Sequence, residues 1–390
     1  MISYLLPLSS QSGSLIYPMI WLAKAAVSIQ RLYEYAKWNH HEKQFNTPKA
    51  PHNWPNEGKI EAKNLSIRYR KGLPLVLNGI DFTIEPGQKV AIIGRTGSGK
   101  STTLLAMMRI LEMAKDRNRA ELGSIEIDGV NIGSVGLHEL RGRLSIIPQD
   151  PFLMQGTLKF NVDPSGEMDD FDIIDILKDV SALEGIREQD VINQRIQELK
   201  ERGILEVEKM SENEKNELAE GFKSVDEYIL TTIHPDDDPE IKRIKEEGVS
   251  DHDKIHLKIE EKGSNLSIGQ RQLVCIARAL IKRPKVLLMD EATANIDQKT
   301  DSIIQNLIKN RLNETTVVTI AHRLITVVQY DKIIILEKGQ KIEEGSPREL
   351  LEDEGSFFTK MVMEGGKEFR RKMKLAANDF SLDPAVLFAQ

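Results

Sequence analysis

Short apolar runs, separated by longer stretches with helical spacing, dominate the chain from its first quarter onward. Residues 90–93 form one such run and lead through a glycine-rich loop into the apolar residues 103–108. The run 286–289 ends in two carboxylates, and a β-branched run covers 315–320. Apolar runs of this length are typical of parallel strands that are covered on both faces. The pattern therefore predicts an α/β domain with a buried parallel sheet.

Other stretches have the alternation of strands with one exposed face. Residues 61–70 alternate in this way, residues 76–84 form a second strand, and residues 123–129 predict a short hairpin arm. The turn at 85–88 connects the second of these strands to the buried run at 90–93. Strands are thus expected both before and after the glycine-rich loop.

The amino-terminal stretch is mostly apolar between residues 4 and 29, where Lys24 is the only charge. Pro7 and Pro18 interrupt this stretch, and the apolar residues recur at helical spacing over 15–38. Three interpretations fit the pattern: a soluble amphipathic helix, a helix at a membrane interface, or the cytosolic end of a transmembrane helix.

Composition narrows the class of protein. With 390 residues, 40% of them hydrophobic and 29% charged, the chain is long enough for two or three globular domains. Its net charge of −7 argues against a nucleic-acid surface as its main function. Cys275 is the only cysteine, which excludes an internal disulfide and suits a reducing, cytosolic compartment.

The glycine-rich loop fits the phosphate-binding pattern G-x-x-x-x-G-K-[ST] from Gly94 to Ser101. Gly97 and Gly99 let backbone N–H groups point inward with no Cβ in the way of a phosphate. The helix that follows adds unpaired N–H groups, Lys100 adds a positive charge, and the Ser101 hydroxyl can bind Mg²⁺. The loop predicts a nucleoside triphosphate site. Its predicted binding residues are Gly94, Arg95, Thr96, Gly97, Ser98, Gly99, Lys100, Ser101 and Thr102.

Three polar residues stand at the ends of predicted strands. Asp290 fits direct or indirect binding of Mg²⁺, and Glu291 fits a general base or a residue that positions the water attacking the γ-phosphate. Gln149 follows the apolar residues 144–147 and can contact a metal or the attacking water. Because ligands bind at the carboxyl ends of parallel strands, these residues predict a catalytic edge of the sheet.

Further residues are suited to nucleotide contact. Tyr69 is either a residue that stacks on a base or an ordinary strand tyrosine. His322 follows the run 315–320 and can sense the γ-phosphate, although a lone histidine there is unremarkable. The polar turn that contains Ser267 precedes a helix and forms a second anion site at a helix start. Two such helix starts in one domain predict two half-sites, each completed by a second copy.

Taken together, these features resemble the ABC ATPases. In that family a P-loop, a glutamine loop, an LSGGQ-type signature, an Asp-Glu strand, a D-loop and a switch histidine occur in this order. The matching positions are 94–102, Gln149, 266–270, Asp290-Glu291, 294–297 and His322. Tyr69 matches the family's adenine-stacking aromatic. The signature departs at Ile268, where a second glycine is usual, but Ser267 and Gly269 are kept.

The resemblance implies an ATPase of the P-loop NTPase class. Its α/β fold would have a RecA-like core with a mixed sheet, an antiparallel β subdomain and a helical signature subdomain. ATP and Mg²⁺ would be bound, with the metal held by Ser101, Gln149 and Asp290. The implied catalytic residues are Glu291, His322 and Gln149. The implied contacts to ATP held by a second nucleotide-binding domain are Leu266, Ser267, Gly269 and Gln270.

Local sequence is similar to the second nucleotide-binding domain of the C subfamily, the multidrug-resistance-associated exporters. The segments that carry this similarity are 69–77, 94–97, 146–151, 156–158 and 271–275, together with Glu291. Residues 28–35 look like that subfamily's segment leaving the last transmembrane helix, which favours a membrane-helix end for the amino terminus.

The C-subfamily resemblance implies an exporter domain on the cytosolic side of a membrane. Its partners would be transmembrane domains and a second nucleotide-binding domain, with no nucleic acid, and its substrate would be amphipathic and anionic or conjugated. Two other functions stay open. A soluble ABC-type ATPase would carry a second cassette or a long coiled coil, and a C-subfamily channel regulator has the same cassette as an exporter.

The predicted organisation follows from these assignments. Residues 1–38 are the end of the last transmembrane helix with its cytosolic extension, 39–57 a linker, and 58–365 the nucleotide-binding domain. A Lys- and Glu-rich insertion at about 187–261 is expected to be partly helical, with a regulatory or docking role as one hypothesis. Residues 366–390 form a basic carboxyl-terminal tail, for which a solvated helix is expected.

Overall fold

A computed structural model of the chain describes residues 2–37, 49–115, 122–208, 239–291, 298–321, 323–379 and 387. The chain divides into two compact units, Met1–Phe45 and Asn46–Gln390. In the first unit the structure describes one helix, α1 (Ile2–Lys37), and large apolar side chains such as Tyr17, Trp21 and Leu32 are exposed on it. Within the described residues, no helix combines the length and the hydrophobicity needed to cross a bilayer.

The second unit contains all of the described strands. They are β1 (Ile60–Ile67), β2 (Leu77–Ile84), β3 (Lys89–Ile93), β4 (Ser124–Ile127), β5 (Val130–Asn131), β6 (Leu144–Ile147), β7 (Gly156–Thr157), β8 (Lys258–Ile259), β9 (Val286–Asp290), β10 (Thr316–Ile320), β11 (Lys332–Glu337) and β12 (Gln340–Gly345). Its described helices are α2 (Lys100–Met107), α3 (Leu137–Arg143), α4 (Leu158–Val162), α5 (Asp170–Asp179), α6 (Glu188–Glu208), α7 (Pro239–Glu247), α8 (Asp251–Ile255), α9 (Ile268–Leu280), α10 (Gln298–Asn310), α11 (Pro347–Glu352), α12 (Phe357–Met363) and α13 (Lys367–Asn378).

The central sheet has six strands in the order β12-β11-β3-β10-β9-β6. Neighbouring strands from β11 to β6 run parallel, and only β12 is antiparallel to its neighbour. The sheet is therefore mixed, as expected. Since parallel strands end at one edge, the residues that follow β3, β6, β9 and β10 are brought to the same side of the molecule.

A second sheet, β2-β1-β4-β5, is entirely antiparallel. Its apolar face packs with α2 and with one face of the central sheet in a shared core, to which Leu65, Phe82, Leu104 and Leu288 contribute. This is the expected antiparallel subdomain. The alternating sequence of β1 and β2 reflects its position, because only one face of the sheet is buried.

The other face of the central sheet is covered by helices. Buried residues of α5, α8, α9 and α10 join strand residues such as Leu287 and Val317 in a second core. Strand β8 pairs with β7 at Thr157 and Lys258, which connects the end of the predicted insertion to the region after Gln149. The helical subdomain that carries the signature turn is thus built as the resemblance implied.

Two helices of the insertion pack on each other. Ile192 of α6 and Ile244 of α7 are buried in a small apolar cluster of their own. Arg243 pairs with Asp253 at 2.7 Å, which ties α7 to α8. The insertion is therefore mainly helical where it is described and ends in the short strand β8, and its residues from α8 onward belong to the main helical core.

The carboxyl-terminal tail forms the predicted helix, α13, but one of its faces is not solvated. Met373, Ala376 and Ala377 are buried against residues that include Tyr330 and Phe358. The basic residues Arg371, Lys372 and Lys374 lie on either side of Met373 in sequence. An expectation based on their charge alone missed the apolar stripe of the same helix.

Candidate functional site

The glycine-rich loop connects β3 to α2, as its sequence predicts. Gly94, Gly97 and Gly99 all have positive φ angles of 153°, 79° and 102°. A Cβ on Gly94 would lie 2.1 Å from the carbonyl oxygen of Leu336, so no other residue fits there. A Cβ on Gly97 would have no other atom within 4 Å, which leaves room for a ligand. The loop is a cradle whose backbone shape depends on glycine.

Two polar side chains of the cradle are buried without the partner that a phosphate would provide. The ammonium of Lys100 donates to the carbonyl oxygens of Gly94 at 2.9 Å and Arg95 at 3.3 Å. Burial lowers the pKa of Lys100, while the charges of Glu291 and Asp290 oppose that shift. The hydroxyl of Ser98 is buried with no hydrogen-bond partner among the described residues. Both groups fit an anionic ligand.

The residues after β6 and β9 meet beside the start of α2. The Ser101 hydroxyl donates to Oδ1 of Asp290 at 3.4 Å, and Nε2 of Gln149 donates to Oε2 of Glu291 at 3.1 Å. Hydroxyl, amide and carboxylate oxygens are the ligands that Mg²⁺ prefers. Ser101, Gln149 and Asp290 therefore fit the predicted metal site in residue type and in location.

The backbone of Glu291 has an unusual conformation. Its φ angle is 49°, in the left-handed region that costs a non-glycine residue about 1–2 kcal/mol. Its N–H donates to the carbonyl oxygen of Ile320 at 3.1 Å, so the turn after β9 is held against the end of β10. Strained residues of this kind cluster at functional sites, which supports a role for this carboxylate.

Tyr69 lies next to the phosphate-binding loop, and its role as an adenine-stacking ring stays a prediction. It follows β1, its side chain is 52% exposed, and its hydroxyl is 3.2 Å from Oγ1 of Thr102. The hydroxyl contact places the ring next to the first turn of α2. An ordinary strand tyrosine would be part of β1, whereas Tyr69 is outside the strand and open to a ligand.

The signature turn has the geometry of a helix start. Ser267 caps α9 by accepting from the N–H of Gln270 at 3.2 Å, and the Gln270 side chain accepts from the N–H of Ser267 at 2.8 Å. The amide of Gln270 also donates to the carbonyl oxygen of Gly185. Ile268 is 49% exposed at the position where the family usually has glycine.

The signature turn and the P-loop are separate within this chain. In the part that the structure describes, no hydrogen bond or ion pair joins residues 266–270 to residues 94–102. Leu266, Ser267, Gly269 and Gln270 are thus not brought to the chain's own phosphate cradle. His322 and the segment 294–297 lie outside the described residues, so their predicted roles stay predictions.

One positioning residue was missed by the sequence interpretation. Arg278 of α9 donates to the carbonyl oxygens of Asn161 at 2.6 Å and Phe152 at 3.0 Å. These contacts hold the segment that follows Gln149 against the helix that begins at the signature turn. The only sequence signal was an arginine in the otherwise apolar stretch 273–281.

A comparison with protein families gives one match, to the ABC transporter family over residues 77–294. This range is more than half of the chain and includes the P-loop, Gln149, the signature turn and Glu291. The insertion also lies inside it.

Curated relatives match nearly the whole chain. Bile pigment transporter 1 of Saccharomyces cerevisiae is 37% identical over 94% of the chain and 20% of its own length. ATP-binding cassette sub-family C member 2 of Mus musculus is 37% identical over 88% of the chain, and 18% of that protein is covered. ABC transporter C family member 6 of Arabidopsis thaliana is 34% identical over 93% of the chain, and 20% of that protein is covered.

These relatives confirm the C-subfamily resemblance. The chain spans about a fifth of the length of the curated relatives that it matches. Among solved structures, a bacterial Atm1-family ABC exporter with ATP bound matches with a TM-score of 0.62 at 23% identity, over 88% of this chain and 48% of that one. The structural match confirms the fold.

Proposed function

Because the chain belongs to the ABC transporter family, whose members are ATPases, we propose that it is the ATP-hydrolysing domain of a C-subfamily exporter. One observation carries the catalytic part of this proposal. Gln149 and Glu291 meet at 3.1 Å beside the pair formed by Ser101 and Asp290, at the carboxyl edge of the sheet next to the P-loop.

The P-loop holds the phosphates of ATP. Its backbone N–H groups and the start of α2 bind the phosphate oxygens, and Lys100 exchanges its contacts to Gly94 and Arg95 for the outer phosphates. Tyr69 stacks on the adenine. The burial of Lys100 strengthens this contact, because a charge in a site with little water is poorly screened.

Glu291 and Gln149 act on the attacking water. Glu291 orients it and accepts its proton as the bond from the water oxygen to the γ-phosphorus forms and the bond from that phosphorus to the bridging oxygen of ADP breaks, so that ADP leaves. Gln149 keeps the Glu291 carboxylate in place. Ser101 and Gln149, with Asp290 next to them, would hold Mg²⁺, which when bound would supply positive charge to the phosphate oxygens. His322 is proposed as a second contact to the γ-phosphate.

The signature turn serves another P-loop. Leu266, Ser267, Gly269 and Gln270 present the start of α9, and in the described residues they make no hydrogen bond or ion pair with the cradle of their own chain. A helix start of this kind binds phosphate. We therefore propose that these residues contact ATP held by a second nucleotide-binding domain. Closure of the two domains is then the step that moves the membrane helices.

The membrane part of the proposal concerns α1 and the substrate. The exposed apolar side chains of α1, among them Tyr17, Trp21 and Leu22, support its assignment to the cytosolic end of a transmembrane helix. The name of one relative refers to bile pigments. An amphipathic organic anion or conjugate is the proposed class of substrate, with this domain on the cytosolic side.

Transport into membrane vesicles tests this function. Inside-out vesicles that contain the assembled transporter are supplied with Mg-ATP and a labelled bile pigment or other anionic conjugate. The expected result is ATP-dependent uptake that is lost in Glu291→Gln and kept in Glu314→Gln, a matched change at an exposed carboxylate. Uptake that continues in Glu291→Gln, or a chain that fractionates away from membranes, contradicts the proposal.

A further inference from the structure

Three metal-ligating side chains meet on the helical subdomain, on elements that the ATPase mechanism does not use. Asp170 is the first residue of α5, while His252 lies in α8 and His256 directly follows it. One ligand atom from each residue lies within 4.8 Å of the other two. The two histidines are four residues apart, the spacing that places side chains on one face of a helical turn.

The distances and side chains suit a small transition-metal ion. Nε2 of His252 is 3.2 Å from Oδ2 of Asp170. Ligand atoms of a tetrahedral zinc site, with bonds of about 2.0–2.2 Å, are separated by about 3.3–3.5 Å. This pair already has that spacing. The rings of His252 and His256 are 4.8 Å apart between centroids, and both side chains are exposed, so a rotation of His256 brings its nitrogen into place.

A neighbouring lysine leaves the required carboxylate oxygen available. Lys159 of α4 pairs with Oδ1 of Asp170 at 2.5 Å, while Oδ2 faces His252. Partners of this kind hold a ligating carboxylate in one orientation, as do the hydrogen bonds behind the ligands of known metal sites. Asp170 can therefore bind an ion through Oδ2 while it remains fixed through Oδ1.

We propose that Asp170, His252 and His256 bind a divalent transition-metal ion of the Zn²⁺ type, with water as the fourth ligand. Two imidazoles and one carboxylate match the ligand set of three-residue zinc sites. Neither nitrogen ligand is suited to Mg²⁺, which prefers oxygen. The site is thus chemically distinct from the nucleotide site at Ser101 and Asp290.

A bound ion would connect parts of the chain that are distant in sequence. It would link α5 to α8, which leads through β8 to the signature turn. Lys178 of α5 already pairs with Asp251 of α8 at 2.7 Å. The bound ion would add a second link between these two helices. Metal binding should therefore raise the thermal unfolding temperature of the chain, because the ion binds the folded state only.

Titration with Co²⁺ in the absence of nucleotide tests the site in the purified full-length chain. Co²⁺ takes the place of Zn²⁺ and reports tetrahedral nitrogen and oxygen ligands through its visible ligand-field bands. Four forms are compared: the wild type, His252→Gln/His256→Gln, Asp170→Asn, and His40→Gln/His41→Gln. The last removes the adjacent histidine pair of the chain and serves as the matched control.

The proposal predicts one Co²⁺ per chain, displaced by Zn²⁺, in the wild type and in the His40→Gln/His41→Gln control. Loss of a partner behind a metal ligand already costs about 10- to 100-fold in affinity, so the loss of both imidazoles in His252→Gln/His256→Gln should weaken Co²⁺ binding by more than about tenfold. Bands that are absent from the wild type, or that persist in His252→Gln/His256→Gln, overturn the proposal. Unfolding temperatures without metal check that each variant is folded, and Asp170→Asn supplies a second ligand variant that leaves both histidines in place.

Discussion

Gln149 donates a hydrogen bond of 3.1 Å to the Glu291 carboxylate, and this bond joins the residues that follow β6 and β9 across the carboxyl edge of the central sheet. The two residues are far apart in sequence, and adjacent parallel strands bring them together. The contact fixes the carboxylate next to the phosphate cradle. It also links Glu291, the proposed catalytic residue, to the segment that Arg278 holds against the signature helix.

Replacing Glu291 by Gln should separate ATP binding from hydrolysis. Gln keeps the shape and the contact to Gln149 but cannot accept a proton, so turnover in the assembled transporter should fall by about 100- to 10,000-fold. Phosphate release and equilibrium ATP binding are measured on the same preparation. Glu314→Gln should leave both unchanged. Turnover of Glu291→Gln within a factor of a few of the wild type would remove Glu291 from its proposed role.

Two glycines of the P-loop should respond differently to alanine. Gly97→Ala meets open space and should cost about 1–2 kcal/mol of unfolding free energy, because its φ is in the left-handed region. Gly94→Ala places a Cβ 2.1 Å from the Leu336 carbonyl oxygen, and overpacking should add about 1–3 kcal/mol. Urea unfolding of both variants measures the difference. Equal stabilities of the two variants would contradict the close approach of Gly94 to the Leu336 carbonyl oxygen.

Two serines make the same helix cap in different places. Ser267 caps α9 in the signature turn, and Ser346 caps α11 through an equivalent capping box with Glu349. Replacement of either serine by Ala should cost about 1 kcal/mol of unfolding free energy. Only Ser267→Ala should also reduce ATP turnover of the assembled transporter. A similar loss of turnover in Ser346→Ala would mean that the effect is one of stability and not of phosphate contact.

Glu344 should make stability depend on pH. It accepts from the ammonium groups of Lys332 at 2.8 Å and Lys341 at 2.6 Å. Burial alone would raise the pKa of Glu344, but these hydrogen bonds and charges lower it below its ordinary value. A lowered pKa stabilises the fold at pH values above the unfolded-state pKa. The contribution is lost as the pH falls through the lower, folded-state value.

The corresponding test compares the wild type with Glu344→Gln in urea at several pH values. The wild type should be more stable by about 1 kcal/mol at neutral pH. The difference should shrink as the pH falls below about 4.3, the ordinary pKa of Glu. Glu314→Gln, at an 88% exposed side chain, should show little difference at any pH. A difference that grows in acid would contradict the assigned sign.

Much of the nucleotide site could be predicted from the sequence, for a simple physical reason. Buried strands such as β3 and β9 are apolar throughout, so a glycine loop or a carboxylate at their ends is conspicuous. Parallel strands then bring these ends together without any further information. The antiparallel strands β1 and β2 were also predicted, because alternation reflects a sheet with one buried face.

Contacts between exposed polar residues could not be predicted in this way. Asp170 and His252 are separated by most of the insertion, and neither belongs to a periodic pattern. The hydrogen bond from Arg278 to the carbonyl oxygen of Phe152 depends on how a loop folds over a helix. The buried face of α13 was hidden by its many charges, since Phe369, Met373 and two alanines are the residues that mark it. Such contacts are determined by tertiary packing, so no local pattern in the sequence predicts them.

Equilibrium binding of Mg-ATP to the purified chain tests the central claim most directly, because it requires no second domain. Saturable binding of one ATP per chain is expected in the wild type and in Glu291→Gln. Lys100→Ala should bind at least about tenfold more weakly, since it loses charge-assisted hydrogen bonds to phosphate. Lys63→Ala, at an exposed lysine of β1, is the matched control and should bind as the wild type does. A wild-type chain that binds no ATP, or a Lys100→Ala chain that binds it equally well, would contradict the account.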